Sequence, residues 1–158
     1  MRKEFFKALY DEMKINPDIY FITGDLGYGL ADQIRIDFKD RFINTGAAEQ
    51  TMMGVAIGLA LEGKIPVVYS ITPFLLYRPF ELIRNYIDHE NIPVKLVGSG
   101  RDLDYHIDGF SHHSEDDKEI MAAFTNIDTL HPQDKILVDD ATKYILGTKR
   151  PFYLNLKR

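Results

Sequence analysis

The chain has 158 residues, of which 45% are hydrophobic and 27% are charged, and this is typical of one soluble globular domain. It contains no cysteine, which excludes disulfides, thiolate metal sites and cysteine nucleophiles, and its net charge of −5 without a polybasic block argues against a nucleic-acid partner. No apolar run reaches the ~20 residues of a membrane span and the amino terminus lacks a signal-peptide pattern, so we expect a cytoplasmic protein without a membrane partner.

The first half of the chain alternates between helical and extended patterns. Residues 2–15 place their apolar side chains on one helical stripe, and Asn16-Pro17-Asp18 ends that helix. Short apolar runs rich in β-branched residues predict buried strands. The elements predicted next are a strand at 19–23, a loop at 24–29, a short helix at 30–38, a strand at 42–44, a helix at 47–62 and a strand at 65–70.

The second half continues the alternation. Apolar and aromatic side chains spaced by three and four predict one long helix over 73–89. A polar segment occupies 99–114, and Ser114-Glu115-Asp116-Asp117 resembles a capping box that opens a helix. The remaining predicted elements are strands at 94–97, 127–130 and 151–156 and a helix at 132–146.

Strands that alternate with helices predict an α/β fold. We expect residues 1–158 to form a single domain with three layers, in which a doubly wound, mostly parallel sheet has helices on both faces. In open sheets of this kind ligands bind at the carboxyl ends of the strands. The loops expected to hold a site are those at 24–29, 45–49, 70–74 and 98–113.

Two adjacent segments carry a family resemblance. In FINTGAAEQTMMGVAIGLALE (42–62) a strand ends, a glycine turns the chain, and Glu49 begins a helix of small residues. This segment resembles transketolases, deoxyxylulose phosphate synthases and the beta chains of 2-oxoacid dehydrogenases, and so does the next one, PVVYSITPFLLYRPFELIRN (66–85). The chain thus resembles a free-standing pyrimidine-binding domain of a transketolase-like enzyme that uses thiamine diphosphate.

The resemblance implies roles for individual residues. Glu49 aligns with the family's activating glutamate, which contacts the aminopyrimidine of thiamine diphosphate, and Phe74 aligns with the aromatic residue that stacks on that ring. His112 is implied as a catalytic residue that also meets the substrate. Further cofactor contacts are implied for Tyr77, Ile71, Asp25 and Leu26, and further substrate contacts for Asp108 and His106.

One family feature is missing. Transketolases carry a His-Asp pair eight residues before the Asp-Gly unit, and here those positions are Gly100-Arg101. His106 or His113 could replace the absent histidine only if the loop is rebuilt. The resemblance therefore does not imply sugar-phosphate specificity.

The chemistry of the cofactor explains the choice of Glu49. A carboxyl group hydrogen bonded to the pyrimidine nitrogen N1′ favours the imino tautomer that removes the thiazolium proton. Glu49 is expected to lie in a low-charge environment of small residues, where desolvation raises the pKa of a carboxyl group and keeps a proton available to share. The reactive atoms belong to the cofactor, and the role of the protein is to bind and orient it.

Each of these residues also has a purely structural interpretation. Glu49 could simply complement a helix dipole, Phe74 and Tyr77 could belong to a core stripe, and Asp25 could serve a turn. His112 and the neighbouring His113 precede three acids, but their spacing is poor for a ligand set. We predict no metal site in this chain.

A second domain is implied but not seen in the sequence. Family enzymes hold the diphosphate through Mg²⁺ in a domain marked by G-D-G and a later asparagine, and nothing here matches that motif or the C-terminal domain. The resemblance therefore implies a separate diphosphate-binding subunit that carries G-D-G…N and holds the Mg²⁺. We expect an α₂β₂ assembly with sites between unlike subunits.

The implied activity is ketol or acyl transfer to a sugar or sugar derivative, starting from a small carbonyl substrate. Two alternatives stay open: a 2-oxoacid decarboxylase subunit of the same cofactor class, and a non-catalytic interaction subunit. A nucleotide-binding module is a weaker prediction, because the strand-Gly-x-Gly pattern at 94–100 lacks a third glycine.

Overall fold

The computed structural model describes residues 1–158 and contains one six-stranded sheet in which all neighbouring strands are parallel. The strands are β1 (Ile19–Thr23), β2 (Phe42–Asn44), β3 (Ile65–Ile71), β4 (Lys95–Ser99), β5 (Asp128–Leu130) and β6 (Phe152–Leu156). They are arranged in the order β2-β1-β3-β4-β6-β5. The α/β fold expected from the sequence is confirmed.

Helices cover both faces of this sheet. They are α1 (Arg2–Ile15), α2 (Asp32–Asp37), α3 (Glu49–Leu61), α4 (Thr72–Tyr77), α5 (Phe80–Leu82, continued by a π-helix at Ile83–Asp88), α6 (Asp117–Met121) and α7 (Ile136–Gly147). The predicted helices at 30–38, 47–62 and 132–146 are thus two to four residues shorter at their amino ends, and the loops before them are longer. None of the helices combines the length and the apolar character needed to cross a bilayer.

The core lies in two layers, one on each face of the sheet. On one face α3, α4 and the π-helix pack on the strands through residues such as Met52 and Leu75. On the other face α1 and α7 do so through residues such as Leu9 and Ile145. Because the central strands are covered on both sides, they are continuous apolar runs, and each fully buried aliphatic side chain contributes roughly 1.5–3 kcal/mol.

The single helix expected over 73–89 is wrong, since the chain breaks after Tyr77 and resumes as a helix at Phe80. Pro79 accounts for the break, because it has no N–H to donate and its ring clashes with the preceding turn. The second piece then widens into a π-helix. The break leaves Arg78 at the open end of α4.

The capping box expected at 114–117 is also wrong. Helix α6 begins at Asp117 and has no side-chain cap. The Ser114 hydroxyl instead donates to the carbonyl oxygens of Gly100 and Asp102, at 3.1 and 3.3 Å. Ser114 therefore closes the segment 99–114 into a compact loop, which contains two short 3₁₀ turns, at His106–Asp108 and Phe110–His112.

Candidate functional site

The carboxyl ends of the strands form one edge of the sheet, and the candidate residues lie on the loops and helices that begin there. Glu49 is the first residue of α3, and its side chain is only 5% exposed. Its carboxylate accepts a hydrogen bond from Arg78 Nη1 at 2.7 Å. The low-charge environment expected around Glu49 is therefore corrected, because the Arg78 guanidinium lies directly against this buried carboxylate.

Phe74 and Arg78 share one face of α4. They are four residues apart, a spacing that places side chains above one another on a helix. The Arg78 guanidinium carbon lies 3.8 Å from the centroid of the Phe74 ring. One guanidinium thus contacts both Glu49 and Phe74, the two residues assigned to the aminopyrimidine. The sequence interpretation missed Arg78, although its spacing from Phe74 was a readable signal.

His112 joins this cluster from the loop after β4. Its ring meets Phe74 nearly edge to face, with centroids 4.9 Å apart and an interplanar angle of 66°. Its Nδ1 lies 3.1 Å from Ser111 Oγ. The structure therefore connects three segments: Arg78 links Glu49 to Phe74, and Phe74 contacts His112.

Ile71 and Tyr77 flank the cluster. Ile71 is the last residue of β3 and precedes α4 directly. Tyr77 is partly buried, and its hydroxyl donates to Asp116 Oδ1. Burial, together with this hydrogen bond to Asp116, raises the pKa of Tyr77, so its hydroxyl stays protonated at neutral pH. Asp116, which the sequence interpretation also missed, ties the end of α4 to the loop that carries His112.

Asp25 and Leu26 lie in the loop after β1, next to the end of β2. Asp25 has φ +57°, its N–H donates to Asn44 Oδ1 at 2.9 Å, and its own Oδ1 accepts from Asn44 Nδ2 at 2.8 Å. These hydrogen bonds are consistent with the purely structural interpretation of Asp25, in which it stabilises a turn. Leu26 packs partly against the apolar layer of α1. The loop nevertheless adjoins α3, because a Cβ at Gly24 would lie 3.7 Å from Met52 Sδ of that helix and 2.9 Å from the carbonyl oxygen of Gly46, which precedes it.

Asp108 and His106 are exposed on the 3₁₀ turn of the 99–114 loop. The Asp108 carboxylate makes no hydrogen bond, and His106 Nδ1 lies 3.2 Å from the Leu103 carbonyl oxygen. No hydrogen bond connects either side chain to the Glu49 cluster. The substrate role of both residues therefore stays a prediction.

Gly100 explains why the family histidine cannot occupy its usual place. Its φ is +88°, and a Cβ there would overlap the edge of the Tyr105 ring. The Tyr105 hydroxyl is held by Ser99 Oγ at 3.0 Å and Arg2 Nη1 at 3.2 Å, so the ring is fixed over Gly100. His113 lies elsewhere, with its ring near Phe110. The loop is thus rebuilt around Tyr105 rather than around another histidine.

A buried polar network anchors the start of this loop. Arg101 is 4% exposed, and it donates through Nε to Asn155 Oδ1 at 2.8 Å and through Nη2 to the Asn155 carbonyl oxygen at 2.6 Å. Asn155 Nδ2 and the Tyr153 hydroxyl donate to Asp117 Oδ2 at 2.9 and 2.8 Å. Burial alone would raise the pKa of Asp117, but hydrogen bonds from His131 and Tyr153 outweigh it and lower the pKa.

The arrangement is suited to a flat, nitrogen-rich ring. A planar cation already lies against the Phe74 ring while donating to the Glu49 carboxylate, so this space accepts a planar group with an N–H donor at its edge. No three His, Cys, Asp or Glu side chains are grouped so that they could hold a metal ion. The residues around Phe74 and Glu49 therefore fit a planar heterocycle such as an aminopyrimidine.

The chain is similar to several known proteins. The profile of the family described as "Transketolase, pyrimidine binding domain" matches residues 1–158. The chain is 32% identical over 159 residues to the "Putative transketolase C-terminal section" of Methanocaldococcus jannaschii, a match that covers 100% of this chain and 50% of that protein. It is 35% identical over 120 residues to an apulose-4-phosphate transketolase subunit of Actinobacillus succinogenes, covering 76% of this chain and 39% of that protein.

A solved structure gives the same result. The structure described as "Split gene transketolase, inactive beta4 tetramer" superimposes with a TM-score of 0.87 and 31% sequence identity, and the match covers 99% of this chain and 50% of that one. The chain thus spans half or less of the length of these relatives.

Proposed function

The chain belongs to the transketolase pyrimidine-binding domain family, and from this premise we propose that it binds the aminopyrimidine ring of thiamine diphosphate as one subunit of a transketolase-like transferase. Residues 1–158 would serve as a single pyrimidine-binding domain. The reaction proposed is the transfer of a ketol or acyl unit to a sugar or sugar derivative. The observation that carries the proposal is the convergence of Glu49, Phe74 and His112 at the carboxyl edge of the sheet.

Each residue of the cluster has a proposed task. When bound, thiamine diphosphate supplies a nucleophilic carbon that attacks a carbonyl group. Glu49 would hold a shared proton at the pyrimidine edge, and its burial keeps water from competing for that hydrogen bond. Phe74 would support the face of the ring, with Ile71 and Tyr77 beside it.

The remaining candidates are assigned by position. The His112 ring packs against the Phe74 ring, so it would meet the substrate next to the aminopyrimidine and could exchange a proton with it. Asp108 and His106 lie farther along the same loop, where they would meet the more distant part of the substrate. Asp25 and Leu26 would approach the thiazolium side from the loop after β1.

The other half of the site is proposed to come from a diphosphate-binding subunit. That subunit would carry G-D-G…N and hold the Mg²⁺, and two copies of each chain would form an α₂β₂ assembly. Relatives described as a transketolase subunit and as a split-gene transketolase support the proposal. The cysteine-free sequence is compatible with the reducing cytoplasm, where we propose the enzyme works.

The comparisons bear differently on the two alternative functions that the sequence left open. The relatives are named as transketolase sections and subunits, which does not favour a 2-oxoacid decarboxylase. A non-catalytic interaction subunit is an outcome that a mutation can detect.

The test is Glu49→Gln in the assembled enzyme. The amide keeps the shape of the side chain but cannot share an acidic proton, so we expect turnover to fall by about 10²-fold or more while the complex still forms. Turnover is measured with ketose phosphate donors, and assembly by size-exclusion chromatography. Glu62→Gln, at the exposed far end of α3, is the matched control and should leave turnover unchanged. Unchanged turnover in Glu49→Gln would make the chain an interaction subunit.

A further inference from the structure

Arg78 occupies the place that the aminopyrimidine ring is expected to take. Its Nη1 donates to Glu49 Oε1 at 2.7 Å, and its guanidinium carbon lies 3.8 Å from the centroid of Phe74. These are the two contacts assigned to the cofactor: a hydrogen bond to the glutamate and a stack on the aromatic ring. The side chain of one residue of this chain therefore makes both of them.

The match is chemical as well as spatial. A guanidinium is planar, delocalised and rich in N–H donors, and it stacks on aromatic faces as a protonated heterocycle does. The face of Phe74 that the guanidinium covers cannot take a second planar group at the same time. Arg78 and a ring bound against the same partners are thus mutually exclusive.

The Arg78 side chain can also move away from Glu49 and Phe74. Its side chain is 48% exposed, and its hydrogen bond to Glu49 is the only side-chain hydrogen bond that it makes. It directly follows the last residue of α4 and precedes Pro79. A change of side-chain rotamer would carry the guanidinium into solvent without moving the sheet or α3.

We propose that Arg78 is a placeholder that fills the aminopyrimidine position in the cofactor-free subunit and must swing out before the cofactor binds. The inference rests on the proposed function. The placeholder neutralises the buried Glu49 carboxylate, which would otherwise lose its partner whenever the cofactor is absent. Each binding event must displace the arginine, and the placeholder therefore weakens cofactor affinity.

The test compares three variants in the enzyme assembled with its diphosphate-binding partner. Arg78→Met removes the hydrogen bond and the planar cation while keeping an unbranched side chain. Arg78→Lys keeps the charge but removes the planar face. Arg84→Met is the matched control, because Arg84 is an exposed arginine of the same helical region that bonds only to the neighbouring Asn85.

Two quantities are measured: the Kd for thiamine diphosphate by calorimetry at fixed Mg²⁺, and the thermal midpoint of each variant without cofactor. We expect the Kd of Arg78→Met to fall about tenfold, which corresponds to roughly 1.4 kcal/mol, and that of Arg78→Lys to fall by a smaller factor. Without cofactor, Arg78→Met should melt below the wild type, because Glu49 has lost its partner. Arg84→Met should match the wild type in both measurements.

The outcomes separate this inference from the proposed function. If the wild type binds the cofactor and Arg78→Met binds it equally well or more weakly, the placeholder is disproved while the cofactor site stands. If the wild-type complex assembles and binds no cofactor, the proposed function itself fails. Should Arg78→Met not assemble, Arg78→Lys decides, since an unchanged Kd in that variant overturns the inference.

Discussion

Lys95 is a buried charge far from the site, at the amino end of β4. It is 1% exposed, and its Nζ donates to the carbonyl oxygens of Thr148 (at 2.8 Å) and Arg150, just after α7. The Thr148 carbonyl belongs to the carboxyl-terminal cap of α7, where a lysine is a suitable partner. Burial nevertheless lowers the pKa of Lys95 to about 8.

This lowered pKa predicts how stability depends on pH. The unfolded chain holds the Lys95 proton up to a pH of about 10.4, so between that value and pH 8 it binds more protons than the folded chain does. The free energy of unfolding should therefore rise with pH across this window, by up to about 3 kcal/mol from Lys95. Below about pH 8 the contribution is constant.

Urea unfolding between about pH 7.5 and 9.5 tests this dependence. In Lys95→Met the free energy of unfolding should rise less steeply with pH, whatever the effect of the substitution on absolute stability. Lys143→Met, which removes an exposed lysine of α7, should keep the slope of the wild type. If the free energy of unfolding changed with pH equally in the wild type and in Lys95→Met, Lys95 would not titrate in this pH range.

Individual residues differ in how far the sequence predicted them. Glu49 and Phe74 were identified through the family resemblance of the segments 42–62 and 66–85, in which each residue has a local sequence context. The guanidinium on Glu49 was missed, since it depends on Arg78 reaching across from another helix. The fixed position of Tyr105 over Gly100 was equally unpredictable, because a positive φ cannot be read from a glycine alone.

At the scale of elements, the loop 99–114 is held by contacts that are distant in sequence. Asp117 lies at the centre of these contacts, since its Oδ2 accepts from Asn155 and Tyr153 and lies 3.1 Å from His131 Nε2. Ser114 closes the loop above it. Removing the charge of Asp117 should therefore loosen the segment that presents His112.

Asp117→Asn is the corresponding prediction. The lowered pKa of Asp117 means that its stabilisation is complete above the unfolded value of about 3.9 and is lost as the pH falls through the folded value. At neutral pH we expect the variant to lose about 1–3 kcal/mol, because three donors then face an amide. The difference from the wild type should narrow below about pH 4.

Guanidinium unfolding at several pH values measures this difference. Asp40→Asn serves as the control, because Asp40 is exposed and makes no hydrogen bond or ion pair. If the free energies of unfolding of the wild type and Asp117→Asn differed by the same amount at pH 7 and at acidic pH, the charge of Asp117 would not contribute to stability.

The elements themselves were largely readable from the sequence. Alternating apolar runs and helical stripes predict a parallel sheet with two covered faces, because each pattern reflects local burial. Pro79 could have predicted the break in the helix over 73–89, since its effect is also local. The role of Ser114 could not be predicted, because the carbonyl groups that accept from it lie 14 and 12 residues away.

At the scale of the whole molecule, one edge of the sheet gathers the residues that suit an aminopyrimidine. Glu49 and Phe74 converge there with His112, and no group of metal ligands accompanies them. A diphosphate needs a Mg²⁺ ion or a cluster of N–H donors and cations. We therefore expect that this chain alone binds the cofactor poorly and that a partner completes the site.

The most direct test is calorimetry of Mg²⁺-dependent thiamine diphosphate binding, performed on this chain alone and together with a subunit that carries G-D-G…N. We predict that the assembled pair binds the cofactor, that the single chain binds it at least about 100-fold more weakly, and that Glu49→Gln weakens binding by the pair. A pair that assembles without binding the cofactor, or a single chain that binds it as tightly as the pair does, would contradict the split-site model.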